Sequence, residues 1–208
     1  IGRSVMRAAA ENLTPVTLEL GGKSPAIVGP DYPIDTAAQR IGFGKCVNAG
    51  QTCVAPDYVM VPAGKEREFV EALKKKVTDW YPDVGTTPDF TSIINERHFG
   101  RLNAYLDDAR AKGAEIIPLG STAAANAQSR RIPPTALLNV NGSMQVMQQE
   151  IFGPLLPVIS YKNLDEAIAY VNLGARPLAL YYFDYDKSNV DRILTQTISG
   201  GVTVNDTV

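Results

Sequence analysis

The chain has 208 residues, 45% of them hydrophobic and 20% charged, enough for one large globular domain with a substantial core. Twenty basic against 22 acidic residues leave a net charge of -2, which argues against nucleic acid or an anionic membrane surface as the main partner. No apolar run reaches the roughly 18 residues of a membrane-spanning helix, and two cysteines without C-x-x-C spacing beside a single histidine argue against a disulfide scaffold or a metal site, so a cytoplasmic setting is the default.

In chain order, β-branched apolar runs predict strands over 16–20, 26–28, 58–61, 115–118, 136–140, 156–161, 179–183 and 202–205. Helical periodicity falls between them. A helix is expected over 35–48; Phe69, Leu73, Val77 and Trp80 share one face of a second, and Phe99, Leu102, Leu106 and Ala109 one face of a third. Lys74 to Lys76, within the second of these, form the chain's one lysine run and read as a solvated helix face. The segments 81–90 and 120–129 are small and polar and read as surface loops. In "NLDEAIAYV" Asn163 stands three residues before Glu166, a capped helix start, with Leu164, Ile168 and Val171 as the buried stripe. Alternation of this kind predicts an α/β fold, an open, mostly parallel sheet with helices on both faces. No internal repeat or linker divides the chain.

Chemistry is sought first at Cys53, in "NAGQTCVAP". An unreactive cysteine belongs in an apolar run, and this one lies in a polar turn. The turn follows a helix instead of starting one, so local sequence alone does not activate the thiol. A cysteine hydrolase would need His98, which stands at the start of an amphipathic helix and reads as an ordinary half-buried side chain. Glu19 closes the run "VTLEL" immediately before Gly21 and Gly22. It is either a charge facing water from an edge strand or a functional group at a strand's carboxyl end, where open α/β sheets place their sites. Glu150, in "QQEIFGPLLPV" just ahead of an aromatic and a Gly-Pro turn, is a second candidate carboxylate, or a plain loop residue. "GGK" at 21–23 lacks the spacing of a phosphate-binding loop.

Together "LELGGKSP" (18–25), "GQTCVAP" (50–56) and "EIFGP" (150–154) resemble the signature segments of the aldehyde dehydrogenase superfamily, with Glu19 and Cys53 34 residues apart. "CVAPDYV", "TSIINERHFGRL" and "GGVTVNDTV" are similar to the branch of fatty-aldehyde and coniferyl-aldehyde dehydrogenases. The resemblance implies NAD(P)-dependent oxidation of an aldehyde, aromatic such as coniferyl aldehyde or long aliphatic, to the acid. It implies Cys53 as nucleophile, with its backbone N–H toward the developing oxyanion, and Glu19 as base for thioester hydrolysis. Glu150 would bond the nicotinamide ribose, Phe152 would pack near the nicotinamide, and the backbone of Leu20 and Gly21 would run past the ring, with no metal. Gly50 would allow close backbone approach, and Asn48 and Asn205 would be structural supports. Cys46 reads as a packing residue.

Against the family's pattern, residues 1–22 read as the tail of a cofactor-binding domain and 23–208 as a catalytic domain truncated at its C-terminus. NAD or NADP would then be bound mostly outside this chain, which would be inactive alone, and the longer enzyme would be a homodimer. A CoA-acylating relative is disfavoured by Glu19, which is useful when water is the acceptor. A non-catalytic structural domain is disfavoured by the intact Cys53 and Glu19.

Overall fold

The four residues of β1 (Pro25–Val28) are all buried, and the other strands are laid out around this short apolar run. The computed structural model describes residues 1–121 and 128–208. Along the chain come α1 (Gly2–Ala10), β1, α2 (Ile34–Cys46), β2 (Tyr58–Pro62), α3 (Glu66–Trp80), α4 (Glu96–Ala111) and β3 (Glu115–Pro118). Then follow β4 (Thr135–Leu138), α5 (Gln145–Gln148), β5 (Leu155–Tyr161), α6 (Leu164–Leu173), β6 (Ala179–Phe183), α7 (Lys187–Gln196) and β7 (Gly201–Val204). They build a seven-stranded sheet in the order β3-β4-β5-β2-β1-β6-β7. All neighbours are parallel except β3 and β4, which is the mostly parallel α/β architecture expected.

Both faces of the sheet are covered. Ala26, Val28 and Val59 cluster with Ile41 of α2 and Leu73 of α3, while Ile27, Met60 and Leu180, pointing the opposite way, meet Ile168 of α6 and Ile193 of α7. A third cluster joins Leu137 and Leu155 to Leu102 of α4. Burial on both sides is why these strands read as continuous apolar runs without alternation. The start of α6 is set as its sequence implies: Asn163 Oδ1 accepts from the Glu166 N–H at 3.0 Å, and Glu166 Oε2 accepts from the Lys162 N–H at 2.8 Å.

Two expectations need correction, and three helices were not foreseen. Residues 16–20 form no strand; Val16, Glu19 and Leu20 are exposed in irregular backbone. A strand needs a partner for its backbone groups, and none of the sheet's pairings includes residues 16–20. The helix expected over 35–48 ends at Cys46, because Asn48 and Ala49 turn left-handed, with φ of 50° and 53°. Helices α1, α5 and α7 were not legible, α7 because Ile193 is its one fully buried side chain. The expected loop 120–129 falls largely on residues 122–127, outside the described ones.

The parallel topology has one consequence for function. Gly21 to Lys23 precede β1, the segment 48–57 precedes β2, residues 150–152 precede β5 and Pro177 precedes β6. The register pairs Pro25 with Tyr58, Ala26 with Tyr181, and Val59 with Val158. Four amino ends therefore sit side by side on one edge of the sheet. The sequence pointed instead to a carboxyl end for Glu19, an expectation that fails with the strand it was built on.

The capping bond carries a direct test. Asn163→Ala should cost about 1 kcal/mol, read as a lower urea midpoint at unchanged slope.

Candidate active site

The turn that presents Cys53 is held in an unfavourable conformation. A left-handed residue other than glycine costs about 1–2 kcal/mol, and Asn48 and Ala49 are two in succession, followed by Gly50 at φ 71°. A local lattice of bonds holds them. The Gln51 N–H donates to Asn48 O at 3.1 Å, Asn48 Nδ2 to Gln51 O at 3.1 Å, and Gln51 Nε2 to Asn48 O at 3.0 Å and Ser92 O at 3.2 Å. Gln51 Oε1 in turn accepts from the Ile94 N–H at 2.9 Å. Gly50 is required twice over, by its φ and because a Cβ there would lie 2.4 Å from Gly153 O.

Cys53 emerges from this turn exposed, whereas Cys46 is buried in α2. The Tyr181 hydroxyl, on β6, donates to Val54 O beside Cys53. Burial raises the Tyr181 hydroxyl above its ordinary range, and negative charge on Cys53 would raise it further. Burial pushes the Cys46 thiol up to about 12, so it stays protonated and inert.

Glu150 stands opposite, between α5 and β5. Burial raises its carboxyl above the usual range, the Gly22 N–H it accepts from works the other way, and Asp57 adds to the rise. Gly21 lies so close that a Cβ on it would fall 2.0 Å from Glu150 Oε1. Arg101 of α4 holds the same turn by its backbone, donating to Glu150 O at 3.2 Å and Ile151 O at 2.7 Å. Phe152 takes φ 48° and is 37% exposed. It shares with Asn48, Gln51, Ile94 and Arg130 a cleft of about 490 Å³, and Glu150 with Gly22, Lys23 and Tyr170 lines another of about 430 Å³.

A buried charge ties the segments together. Asp57, 3% exposed, accepts from the Ile151 N–H at 2.8 Å and pairs with Lys23 Nζ. Lys23 Nζ also donates to Val146 O at 2.8 Å and Gln149 O at 3.1 Å. The structure thus packs Gly21 on Glu150 and joins the Cys53 turn to the Phe152 turn. Glu19 and Leu20 lie exposed on the adjoining irregular segment, Leu20 against Gly2 of α1. His98 keeps a buried Nδ1 that has no partner among the described residues. Asn205 at φ 62° exchanges two bonds with the Asp184 backbone, at 2.9 and 3.0 Å.

Sequence reasoning missed Lys23, Lys45, Asp57, Arg101 and Tyr181. The available signal was charge beside buried runs, "GKC" before the cysteine turn and "PDYVMV" at the mouth of β2, since such residues are almost never buried unpaired.

The family model described as the aldehyde dehydrogenase family matches residues 1–208. A probable coniferyl aldehyde dehydrogenase of Pseudomonas aeruginosa is 61% identical over 208 residues, covering 100% of this chain and 43% of its own. The substrate-bound structure of Staphylococcus aureus AldH superposes with a TM-score of 0.92 at 41% identity, over 100% of this chain and 44% of that one. A betaine aldehyde dehydrogenase of Staphylococcus aureus, solved with NAD+, gives 0.86 at 28% identity, over 100% and 42%. The chain thus spans less than half the length of these relatives.

Two outcomes follow from the geometry. Gly50→Ala should lose at least about 1–3 kcal/mol of stability, measured by urea unfolding, because neither the φ nor the Gly153 carbonyl can give. Iodoacetamide at pH 7 should label Cys53 and leave Cys46 unmodified, a difference read by peptide mass spectrometry.

Proposed function

Since the chain belongs to the aldehyde dehydrogenase family, we propose that it carries the nucleophile and the base for NAD(P)-dependent oxidation of an aldehyde to its acid. The observation that carries the reading is the packing of the turn bearing Cys53 onto the turn bearing Glu150 and Phe152, through Gly50 against Gly153. The relative at 61% identity makes coniferyl aldehyde the first substrate to test.

Cys53, as thiolate, attacks the aldehyde carbon; a C–S bond forms and the carbonyl electrons move to oxygen, toward the backbone N–H of Cys53. NAD(P)+, when bound, supplies the hydride acceptor. What remains on Cys53 is a thioester. Glu19 takes a proton from water, the resulting hydroxide adds to the thioester carbon, and the C–S bond breaks to give the acid and free thiol. What supports a nicotinamide nucleotide here is a cavity of about 430 Å³ lined by Gly22, Lys23 and the half-buried Glu150, whose carboxylate is seated against Gly21 and accepts from the Gly22 N–H. Glu150 would bond the ribose, Phe152 would face the ring, and Leu20 and Gly21 would pass it by their backbone.

The test uses an enzyme of the relatives' length carrying this chain. Cys53→Ala should abolish aldehyde-dependent formation of reduced nicotinamide. Glu19→Gln should keep the first burst and slow steady turnover by a factor of 10²–10⁴, the usual contribution of a general base. Equal loss of burst and turnover would assign Glu19 to activating the thiol, and turnover by Cys53→Ala would overturn the reading.

A further inference from the structure

Residues 52–56 carry the nucleophile and hold themselves by a single bond. The Ala55 N–H donates to Thr52 O at 3.2 Å, closing a turn in which Cys53 is the first central residue. Thr52 Oγ1 is buried with no partner among the described residues, so the side chain before Cys53 ties nothing down. Upstream, Gln51 is anchored to Ser92 and Ile94; downstream, the Asp57 N–H reaches Ser24 O at 2.8 Å. Between those anchors, one hydrogen bond among the described residues enters from another element: the Tyr181 hydroxyl donates to Val54 O.

Tyr181 is placed to make that bond firm. It stands within β6, in register with Ala26 of β1 and Thr203 of β7, and is 1% exposed. Its ring belongs to the cluster that holds Ile41 and Cys46 of α2, and Val54 packs against the same cluster. The hydroxyl therefore meets the turn from a position that the sheet fixes. Burial raises it above its ordinary range, so it keeps its proton and stays a donor.

We propose that Tyr181 is a positioning residue of the active site: its hydroxyl fixes the backbone just after Cys53 and so aims the sulfur at the aldehyde carbon. This rests on the reading of Cys53 as nucleophile. Attack on a carbonyl needs the reacting atoms about 3–3.5 Å apart and aligned, and a misplacement of about 1 Å can cost about 10²-fold. Groups on strands keep such tolerances better than groups on loops. Cys53 is on a loop, and Tyr181 lends it the rigidity of the sheet. The bond ends on a backbone carbonyl and not on the thiol, so it sets direction and leaves the ionisation of the sulfur alone.

That separation can be measured. In an enzyme of the relatives' length, Tyr181→Phe keeps the ring and removes the donor. The burst of reduced nicotinamide in the first turnover should slow by about 10- to 100-fold. Alkylation of Cys53 by iodoacetamide, a small reagent that follows the thiolate fraction and has no fixed approach, should stay within about threefold of wild type. Replacing Tyr181 by para-aminophenylalanine, whose N–H can donate to the same carbonyl, should return the burst to within about threefold of wild type. An unchanged burst in Tyr181→Phe, whatever its urea midpoint, makes the bond merely structural and overturns the proposal. So does a burst that falls in step with alkylation, which would place the effect on the thiol itself, and so does a para-amino variant as slow as Tyr181→Phe. Should Tyr181→Phe fail to fold, para-methylphenylalanine fills the hydroxyl's volume without donating and gives the same readout, and an unchanged burst there is equally fatal. Cys53→Ala separates the two levels: a dead Cys53→Ala with an unchanged burst in Tyr181→Phe removes the positioning role alone, whereas an active Cys53→Ala removes the functional reading beneath it.

Discussion

One buried carboxylate holds the working edge of this molecule together. Asp57 gives one oxygen to the Ile151 N–H and the other to Lys23, and its backbone reaches Ser24. A charge buried to that degree is tolerable only when its bonds are made, and here they reach two distant stretches of chain, 23–24 and 151. The cysteine turn, the glycine pair and the Glu150 turn cannot drift apart without stranding it. The strained backbone nearby has the same logic: left-handed Asn48, Ala49 and Phe152 persist because the surroundings determine them more strongly than their own preferences do.

The sheet makes that joint possible. Residues more than a hundred positions apart meet because β1, β2, β5 and β6 run the same way, so the segments that enter them lie at one edge. Covering both faces with helices leaves that edge as a place where irregular backbone can gather. Gly50 against Gly153 and Gly21 against Glu150 are the close approaches on which the gathering depends. Each is a place where a methyl group would push two turns apart.

Much of the fold was legible. Seven of eight expected strands are present, because strands buried on both faces announce themselves as uninterrupted apolar runs. The exception, 16–20, shows the limit: its apolar residues match a strand, but pairing is a property of neighbours, and no strand of the sheet pairs with it. The failure of the expected carboxyl-end site for Glu19 has the same origin. In the candidate site, Cys53, Glu150, Phe152 and Gly21 were readable from motifs, whereas Lys45, Asp57 and Tyr181 were not, since a charged or hydroxyl side chain gives no local sign of what it will face.

By itself the sequence determined the alternation of strands and helices, the cap at Asn163 and the family to which the chain belongs, because periodicity, capping and signature segments act over a few neighbouring residues. Only the tertiary structure decided that the three segments meet at the amino ends of parallel strands, and that a lysine and an aspartate are buried beneath them. Those facts depend on register and on the electrostatics of burial, which arise between residues far apart in the chain and exist only once it is folded.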